Sequence, residues 1–311
     1  MDSALAPLAI FVYNRSHVMD KMLNAINENY LCEQTEVFIF SDGAKNEEDE
    51  EKVKQVRARL DAFSKINNFK NVEIIASEKN KGLANSIIQG VTTLINKYGK
   101  VIVLEDDLIT SKSFLKFMND CLCFYEFNEK VWSIGGVSYD LPGLQEYKQD
   151  IYACWRGQSW GWGTWKDRWD KVDWNISDYA AFMKNRKRKK MFQRGGQDMV
   201  ESLRMQMTGK IDSWAIRWCY QESKENMITI LPKKSLIQNI GWGEESTHCD
   251  VDRFHIKVDV QEYEYKLEDV VINNRLMKEF RVYYSKPIYQ RILDYLYIKL
   301  KEKNVQESSC G

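Results

Sequence analysis

The sequence predicts an α/β fold with a mostly parallel central sheet, and two observations support this. Short apolar runs of strand-like composition alternate with segments of helical spacing through the first hundred residues. This alternation is typical of parallel sheets, whose strands are connected by helices that cover both faces. In addition, 44% of the 311 residues are hydrophobic. That fraction is enough for the substantial core of one large domain.

The elements can be assigned in order from composition and spacing. Runs rich in Val, Ile, Leu and Phe predict strands, and apolar residues recurring every three or four positions predict helices. The predicted strands are 8–13, 36–43, 71–77 and 100–107, and the predicted helices are 17–29, 46–63 and 83–99. A segment rich in Trp and Gly follows at 132–175, and residues 228–242 predict a strand pair or an extended segment.

Composition excludes several classes of protein. The 45 basic and 45 acidic residues balance, so we expect no nucleic-acid partner. No apolar run approaches the roughly 20 residues of a transmembrane helix, and the start lacks a basic region and a full apolar region of a signal peptide. Seven cysteines without a CxxC pair favour a reducing compartment. We therefore expect a cytoplasmic protein.

Polar residues stand where the predicted strands end. They are Asn14-Arg15, Asp42, Lys81-Gly82 and the triplet 105–107. In open α/β sheets, ligands bind beyond the carboxyl ends of the strands. Because several polar strand ends converge on one edge, the sequence predicts a ligand site there.

The triplet Glu105-Asp106-Asp107 requires a neutralising partner, because adjacent carboxylates repel and resist desolvation. Hard divalent ions such as Mn²⁺ or Mg²⁺ prefer oxygen ligands and take one or two carboxylates together with substrate phosphates. There are only three histidines and no His/Cys cluster for zinc. The triplet therefore indicates a metal–diphosphate platform, and a solvated loop is the alternative.

Five segments in order resemble one family. LAIFVYNRSHVMDKML, VFIFSDG, NKGLANSI, VIVLEDDL and SWGWGTW, spread over roughly residues 7–250, resemble the GT-A glycosyltransferases. The pattern is most similar to the N-acetylglucosaminyltransferase I type and its bacterial capsule or lipopolysaccharide relatives. The resemblance implies a GT-A catalytic domain over 1–283, with a nucleotide-binding half (1–107) and an acceptor half (108–283). It also implies a nucleotide-sugar donor, such as a UDP-sugar, and Mn²⁺ or Mg²⁺.

The resemblance also implies roles for the strand-end residues. Asp107 would bind the metal directly, and Asp106 and Glu105 would hold the ribose and the water shell of the metal. Arg15, with Asn14 before it, would lie on the uridine or its phosphates; a surface arginine paired with an acidic helix is the alternative.

Two further strand ends are expected to meet the nucleotide. Asp42 would accept a hydrogen bond from the uracil N3–H, although an Asp before Gly is also ordinary turn chemistry. Lys81 and Gly82 would let the backbone approach the nucleotide, with a plain loop as the alternative.

The segment SWGWGTW predicts a wall for the donor sugar and the acceptor. Gly161 permits positive φ or close backbone approach. Trp160 and Trp162 offer flat apolar faces, and Gln158 offers hydrogen-bond donors for hydroxyl groups. Packing of some of these tryptophans in the core is the alternative.

An inverting transferase needs a carboxylate that takes the proton from the acceptor hydroxyl. The candidate is Asp212, because IDSWAIRW looks like the counterpart of a WDDW-like segment that carries the base in the related eukaryotic enzyme. The match is partial, since Ile211 and Ser213 flank a single Asp. The alternative is that Asp212 only caps a helix. Asp198 and Asp140 are weaker candidates for the base.

Three later segments carry further expectations. His248, between glycines and acidic residues in a predicted lid, is expected to meet the metal or the diphosphate. The basic run 184–194 favours a solvated helix face, with contact to lipid phosphates as the alternative. Residues 284–311 predict an amphipathic basic helix that contacts a membrane peripherally or forms a homodimer.

We therefore expect an inverting, metal-dependent glycosyltransferase that extends a bacterial surface polysaccharide on a glycan or lipid-linked saccharide. It would act in the cytoplasm or at the inner face of the cytoplasmic membrane. One alternative is a sugar-phosphate nucleotidyltransferase, which would need a Gly/Arg-rich loop after the first strand that NRSHVMDKM does not supply. The other is a non-catalytic nucleotide-sugar-binding module, which would keep the triplet but would have no need for Asp212.

Overall fold

An eight-stranded sheet flanked by helices organises the molecule. The computed structural model describes residues 4–241, 256–258 and 264–285. The strands are β1 (Leu8–Val12), β2 (Glu36–Ser41), β3 (Asn71–Ala76), β4 (Lys100–Glu105), β5 (Leu108–Thr110), β6 (Val131–Gly135), β7 (Ile151–Cys154), β8 (Trp162–Trp165), β9 (Ile228–Pro232) and β10 (Ile237–Asn239). The helices are α1 (Ser16–Asn27), α2 (Glu47–Lys65), α3 (Leu83–Tyr98), α4 (Phe114–Phe124), α5 (Pro142–Gln145), α6 (Lys166–Trp169), α7 (Tyr179–Lys184), α8 (Arg186–Phe192), α9 (Met199–Met207), α10 (Trp214–Glu225) and α11 (Asn274–Tyr283).

The strand order in the large sheet is β3-β2-β1-β4-β8-β6-β9-β7. Strands β3, β2, β1 and β4 are parallel neighbours, and β6 and β9 form another parallel pair. Strand β8 is antiparallel to both of its neighbours, and β7 is antiparallel to β9. The predicted mostly parallel α/β architecture is confirmed. The sheet contains strands from both of the predicted halves.

The first four predicted strands and three predicted helices match the structure to within two residues at each end. Residues 228–242, predicted to form a strand pair or an extended segment, contain two strands that do not pair with each other. Strand β9 lies between β6 and β7 in the large sheet, whereas β10 pairs antiparallel with β5 in a separate two-stranded sheet. The chain leaves the large sheet at Pro232, which has no N–H to donate to a ladder. Strand β10 consequently brings residues 237–241 alongside the acidic triplet.

A cluster of tryptophans fills the core on one side of the sheet. Trp162 in β8 stacks on Trp214 of α10 with ring centroids 4.9 Å apart, and on Trp169 at 5.9 Å. Trp132 and Trp218 complete the cluster, and their ring centroids are 4.3 Å apart. Offset aromatic pairs at these separations add to the free energy gained by burying their large apolar surface. The cluster fixes α10, and with it the loop before α10, against the sheet.

Glu222 is a carboxyl group buried within the fold, at 1% exposure. It accepts hydrogen bonds from the backbone N–H of Gly157, at 2.5 Å, and from the hydroxyl of Thr229, at 2.8 Å. Burial raises the pKa of Glu222 to about 8, and the hydrogen bonds and the nearby guanidinium groups of Arg156 and Arg194 offset only part of that effect. The group is therefore largely protonated in the folded protein at neutral pH.

Glu222 is expected to make the protein less stable as the pH rises. The folded pKa lies above the unfolded value of about 4.3, so between these values the folded state binds more protons. The free energy of unfolding should therefore fall by a few kcal/mol between about pH 4.5 and pH 8. Glu222→Gln, which keeps one acceptor and one donor, should flatten this dependence in denaturant unfolding. Glu129→Gln, the same change at an exposed residue, is the control and should leave the slope intact; equal slopes in wild type and Glu222→Gln would contradict the assignment.

No helix in the described ranges combines the length and the apolar character that crossing a membrane requires. The predicted helix over 284–311 lies outside the described residues, apart from its first two positions.

Candidate functional site

The carboxyl ends of β1 and β4 bring Arg15 and the acidic triplet together. The Arg15 guanidinium pairs with Asp106 and lies 2.9 Å from Oδ2 of Asp107. The backbone N–H of Tyr13 also donates to Asp106, at 3.4 Å. Parallel pairing of β1 with β4 places Phe11 opposite Glu105, so the residues that follow each strand emerge side by side. The ion pair was not predicted, although the convergence of these strand ends was.

The charges at this edge do not balance. Glu105, Asp106 and Asp107 supply three carboxylates, whereas the one basic side chain that forms an ion pair with this triplet among the described residues is Arg15, which contacts Asp106 and Asp107. Burial raises the pKa of Glu105, and the charges of Asp107 and Asp106 raise it further. Although burial opposes the charged form of Arg15, the two aspartates raise its pKa. The cluster therefore favours additional positive charge.

Strand β10 supplies residues around Asp107 that the sequence analysis missed. The backbone N–H of Ile240 donates to the Asp107 carbonyl at 2.9 Å, and Nδ2 of Asn239 lies 3.5 Å from Oδ1 of Asp107. A Cβ atom at position 241 would lie 2.1 Å from Oδ2 of Asp107 and 2.8 Å from Nη1 of Arg15. Any residue other than glycine here would therefore force the Asp107 or Arg15 side chain to move. The glycine in the segment NIGW was the available signal, but only the tertiary fold indicates what it approaches.

Asp42 follows β2 and is buried. Its carboxylate accepts hydrogen bonds from the backbone N–H groups of Gly43 at 2.9 Å, Lys81 at 2.9 Å and Gly82 at 3.0 Å. Asp42 therefore holds the loop before α3 in place. The oxygens of Asp42 therefore bind backbone amides of the protein. The sequence analysis predicted a contact with uracil and did not predict this role.

Two further side chains organise the same edge. Tyr13 and Asn14 donate to the Asp49 carboxylate of α2 at 2.8 Å and 2.7 Å. Arg57 of α2 donates to the carbonyls of Asp42 at 3.2 Å and Ser77 at 2.7 Å. Neither Asp49 nor Arg57 was predicted, because each stands in a charged helix whose polar residues look uniformly solvated in the sequence.

The structure places Asp212 beside the Lys81-Gly82 loop. Gly82 has φ +76°, and a Cβ atom there would lie 3.7 Å from Oδ2 of Asp212. Arg217 of α10 donates to Oδ1 of Asp212 at 3.3 Å, and the side chain of Asp212 is 61% exposed. The N-cap of α10 is Ser213, whose hydroxyl accepts from the N–H of Ile216. Helix capping therefore does not account for Asp212, and its carboxylate faces solvent at the edge that carries the strand-end loops.

The tryptophan-rich segment is mostly structural. Trp162 is 0% exposed within the core cluster, which contradicts the prediction that its ring faces a ligand. Gln158 is also buried: its Oε1 accepts from the Tyr139 hydroxyl and its Nε2 donates to the carbonyl of Arg156 at 2.8 Å. The predicted role of Gln158 in binding sugar hydroxyls is therefore wrong, because its amide is used inside the protein.

Glycine at 161 has φ +60°, which confirms the predicted backbone conformation. Its close neighbours are side chains of the protein, since a Cβ there would lie 2.7 Å from Ile237 and 3.0 Å from Phe114. Trp160 is partly buried against the main core cluster. Trp160 is partly exposed, whereas Gln158, Gly161 and Trp162 are buried.

The donor set fits a divalent ion that is shared with a substrate. Within the described ranges, no group of three or more His, Cys, Asp or Glu side chains is arranged to hold a metal ion. The edge instead offers oxygen donors with uncompensated negative charge, and the Asp107 side chain is 13% exposed beside it. Such a set suits Mn²⁺ or Mg²⁺ bound by one or two carboxylates and completed by phosphates. Asp107 is the carboxylate best placed for this, and His248 lies outside the described residues.

The weaker candidates for the base have different surroundings. Asp198 forms a bidentate ion pair with Arg156, with both N–O distances at 2.9 Å. That pair occupies both oxygens of its carboxylate. Asp140 is exposed after β6, and its side chain forms no hydrogen bond within the described part of the chain.

A comparison with protein families identifies one match. Residues 8–195, more than half of the chain, match the model described as "Glycosyl transferase family 2". The comparison with curated proteins returns no match.

Solved structures show low similarity to this chain. S. aureus TarS has a TM-score of 0.32 and 14% identity, covering 43% of this chain and 22% of that one. The Pyrobaculum calidifontis mannosyltransferase PcManGT, in complex with GDP-Man and Mn²⁺, has a TM-score of 0.38 and 11% identity over 71% of this chain and 69% of that one. A Leptospira borgpetersenii cytidylyltransferase has a TM-score of 0.33 and 11% identity, covering 54% and 63%. The chain thus spans about a fifth of the length of TarS.

Proposed function

The chain belongs to glycosyl transferase family 2, and from this premise we propose that it is an inverting, metal-dependent glycosyltransferase that uses a nucleotide-sugar donor. The observation that carries the proposal is the placement of two separate carboxylate groups at one sheet edge. Asp106 and Asp107 lie with Arg15 at the ends of β1 and β4, and Asp212 lies beside Gly82. A transferase needs both a diphosphate site and a base, whereas a binding module needs only the first.

The donor would lie across the ends of β1, β2 and β4. Arg15 is positioned to meet its phosphates, and the loop at Lys81-Gly82, held by Asp42, would contact the nucleoside. Asp107 would hold Mn²⁺ or Mg²⁺, which would neutralise the charge on the departing diphosphate. UDP is the nucleotide that the family resemblance favours. Glu105 and Asp106 would support the ribose and the metal's water shell.

The acceptor would approach from the side of Asp212. Its hydroxyl oxygen forms a bond to the anomeric carbon, while the bond from that carbon to the diphosphate oxygen breaks and the electron pair leaves with the diphosphate. Asp212 takes the hydroxyl proton during this attack. Because attack and departure occur on opposite faces of the sugar, the anomeric configuration inverts. Trp160, the partly buried tryptophan of the SWGWGTW segment, would be the one to stack on a sugar.

The acceptor is proposed to be a glycan or a lipid-linked saccharide of a bacterial surface polysaccharide. We propose peripheral contact with the cytoplasmic face of the membrane through residues 284–311; homodimerisation through the same segment is the alternative. If residues 284–311 contact the membrane, a chain ending at Ser285 should sediment less with anionic liposomes than the full chain. If these residues form a homodimer, the shortened chain should have a lower molar mass in solution and unchanged sedimentation.

A panel of nucleotide sugars tests the proposed activity. With Mn²⁺ present, one donor class should raise the melting temperature and be hydrolysed slowly to its nucleoside diphosphate, because water can replace a missing acceptor. UDP-sugars are expected to act in preference to GDP- and CDP-sugars. Release of pyrophosphate from a nucleoside triphosphate and a sugar phosphate would instead identify a nucleotidyltransferase. Stabilisation by a donor without any hydrolysis or transfer would leave a binding module.

A further inference from the structure

A single nitrogen of Arg15 bridges the two aspartates at the sheet edge. Nη2 of Arg15 donates to Oδ1 of Asp106 and, at 2.9 Å, to Oδ2 of Asp107. The pair is largely withdrawn from solvent, because the side chains of Arg15, Asp106 and Asp107 are 15%, 6% and 13% exposed. A guanidinium group in a protein stays charged. Its nitrogen therefore holds one oxygen of each carboxylate, as a shared cation would.

The other oxygens of these aspartates also have protein groups beside them. The backbone N–H of Tyr13 donates to Oδ2 of Asp106 at 3.4 Å, and Nδ2 of Asn239 lies 3.5 Å from Oδ1 of Asp107. The backbone of Gly241 passes close to Oδ2 of Asp107, because a Cβ atom there would lie 2.1 Å from that oxygen. A divalent ion takes carboxylate oxygens as direct ligands and repels a guanidinium group on the same oxygen. Direct binding to Oδ2 of Asp107 therefore requires the guanidinium to move away.

We propose that Arg15 holds the cation position of this edge in the nucleotide-free protein and leaves it to a divalent ion only when a nucleoside diphosphate binds. The inference rests on the proposed donor site and adds that the ion and the nucleotide bind together. An Arg–phosphate contact can be bidentate, as an Arg–carboxylate contact can, so the phosphates offer the guanidinium an equivalent partner. Mn²⁺ alone offers no such partner, and its binding would leave the charge of Arg15 unpaired at a nearly buried position.

The same exchange would release the ion with the product. When the diphosphate departs, Arg15 loses its phosphate partner and returns to Asp106 and Asp107. Because its positive charge competes with the ion for the same oxygens, the affinity of the edge for the ion then falls. Coupling between two ligands is reciprocal, so the ion raises the affinity for the nucleotide by the factor by which the nucleotide raises the affinity for the ion. Arg15 thus enlarges that factor.

Binding of Mn²⁺ without nucleotide tests the exchange directly. Arg15→Gln removes the competing cation, so its affinity for Mn²⁺ alone should exceed that of the wild type by about tenfold or more, because no charge-assisted hydrogen bond has to break. The coupling factor, which is the Kd for Mn²⁺ without UDP divided by the Kd with UDP, should fall by a similar amount. The electron paramagnetic resonance signal of free Mn²⁺ measures both constants, and neither depends on turnover.

The matched control is Lys45→Gln, which removes an exposed positive charge from the loop whose backbone N–H donates to Tyr13. It should change the affinity for Mn²⁺ by less than about threefold, because salt screens exposed charges. An equal gain in Lys45→Gln, or an unchanged affinity in a folded Arg15→Gln protein, would overturn the proposal. Mn²⁺-dependent UDP binding by the wild type would still support the proposed donor site in that case, whereas its absence would overturn both.

A measurement on the wild type covers the case in which Arg15→Gln does not fold. The side-chain N–H signals of Arg15, assigned by comparison with the charge-conserving Arg15→Lys, report on the partner of the guanidinium in nuclear magnetic resonance spectra. They should stay unchanged with Mg²⁺ alone and shift when Mg²⁺ and UDP are both present. Signals that shift fully with Mg²⁺ alone, or that stay unchanged with both, would contradict the exchange.

Discussion

Replacing Asp107 with Ala is expected to remove the Mn²⁺ dependence of UDP binding. The Asp107 side chain is 13% exposed, against 6% for Asp106, in a cluster where one arginine pairs with two of three acids, so Asp107 is a group well placed to hold a divalent ion with a diphosphate. The variant removes a direct ligand, and affinity for UDP in the presence of Mn²⁺ should fall by about 100-fold or more. Isothermal titration of UDP with and without Mn²⁺ measures the effect.

Two comparisons make this result specific. Asp120→Ala removes an exposed aspartate of α4 that pairs with Lys116, and it should bind UDP and Mn²⁺ as the wild type does. Asp106 keeps its pairing with Arg15 in Asp107→Ala, so the edge should stay folded. Unchanged Mn²⁺ dependence in a folded Asp107→Ala protein would show that the metal, if one binds, is held elsewhere.

The fold of residues 1–107 could be predicted because the sequence signals for its strands and helices are local. Strands β1, β2 and β4 are mainly apolar runs, since parallel strands are covered on both faces, and a polar residue follows each within two positions. The apolar runs and the polar residues that follow them can both be recognised in a single sequence. They located Arg15, Asp42 and the triplet at one edge without any knowledge of side-chain contacts.

The contacts within that edge could not be predicted. Arg15 was expected on the nucleotide, and in the structure its guanidinium pairs with Asp106 and Asp107, 91 and 92 positions along the chain. The approach of Gly241 to Asp107 depends on β10 leaving the large sheet. Both contacts arise because strands that are distant in the sequence pair in the fold, and the spacing of residues does not indicate that pairing.

The burial of Trp162 was not predicted, and there is a physical reason. Aromatic rings suit both sugar stacking and core packing, and glycines between them suit both ligand approach and tight packing. In β8, alternate residues face opposite sides of the sheet, and the large sheet is covered on both sides by helices. Trp162 is therefore buried, whichever face it occupies.

Asp212→Asn is expected to lower turnover by roughly 10²- to 10⁴-fold, or about 3–5 kcal/mol in activation free energy, while the affinity for the donor is retained. The amide keeps the shape and the contact with Arg217 but cannot accept a proton. Asp212 is 61% exposed beside the Gly82 loop, where an incoming hydroxyl could reach it. Donor affinity should hold because Asp107, Arg15 and Asp42 are unchanged.

The matched control is Asp140→Asn, the same change at the other exposed candidate for the base. It should leave turnover within a few-fold of the wild type. Near-normal turnover in Asp212→Asn together with a large loss in Asp140→Asn would move the base to the loop after β6.

Transfer to a saccharide reports on the base, and binding of UDP reports on the nucleotide site. Hydrolysis of the donor is slow in both proteins because water is a poor acceptor. Asp212→Asn should therefore be judged by transfer to a saccharide, which it should lose far more than it loses binding of UDP. Arg217 strengthens the argument, because its Nε and Nη1 are held by the carbonyls of Ser213, at 3.1 Å, and Trp174, at 3.3 Å. Only Nη2 reaches Asp212, and this contact fixes Oδ1 while Oδ2 points toward Gly82. A carboxylate anchored on one oxygen and open on the other has the geometry that a general base requires, and that is why Asp212→Asn should impair the proton transfer selectively.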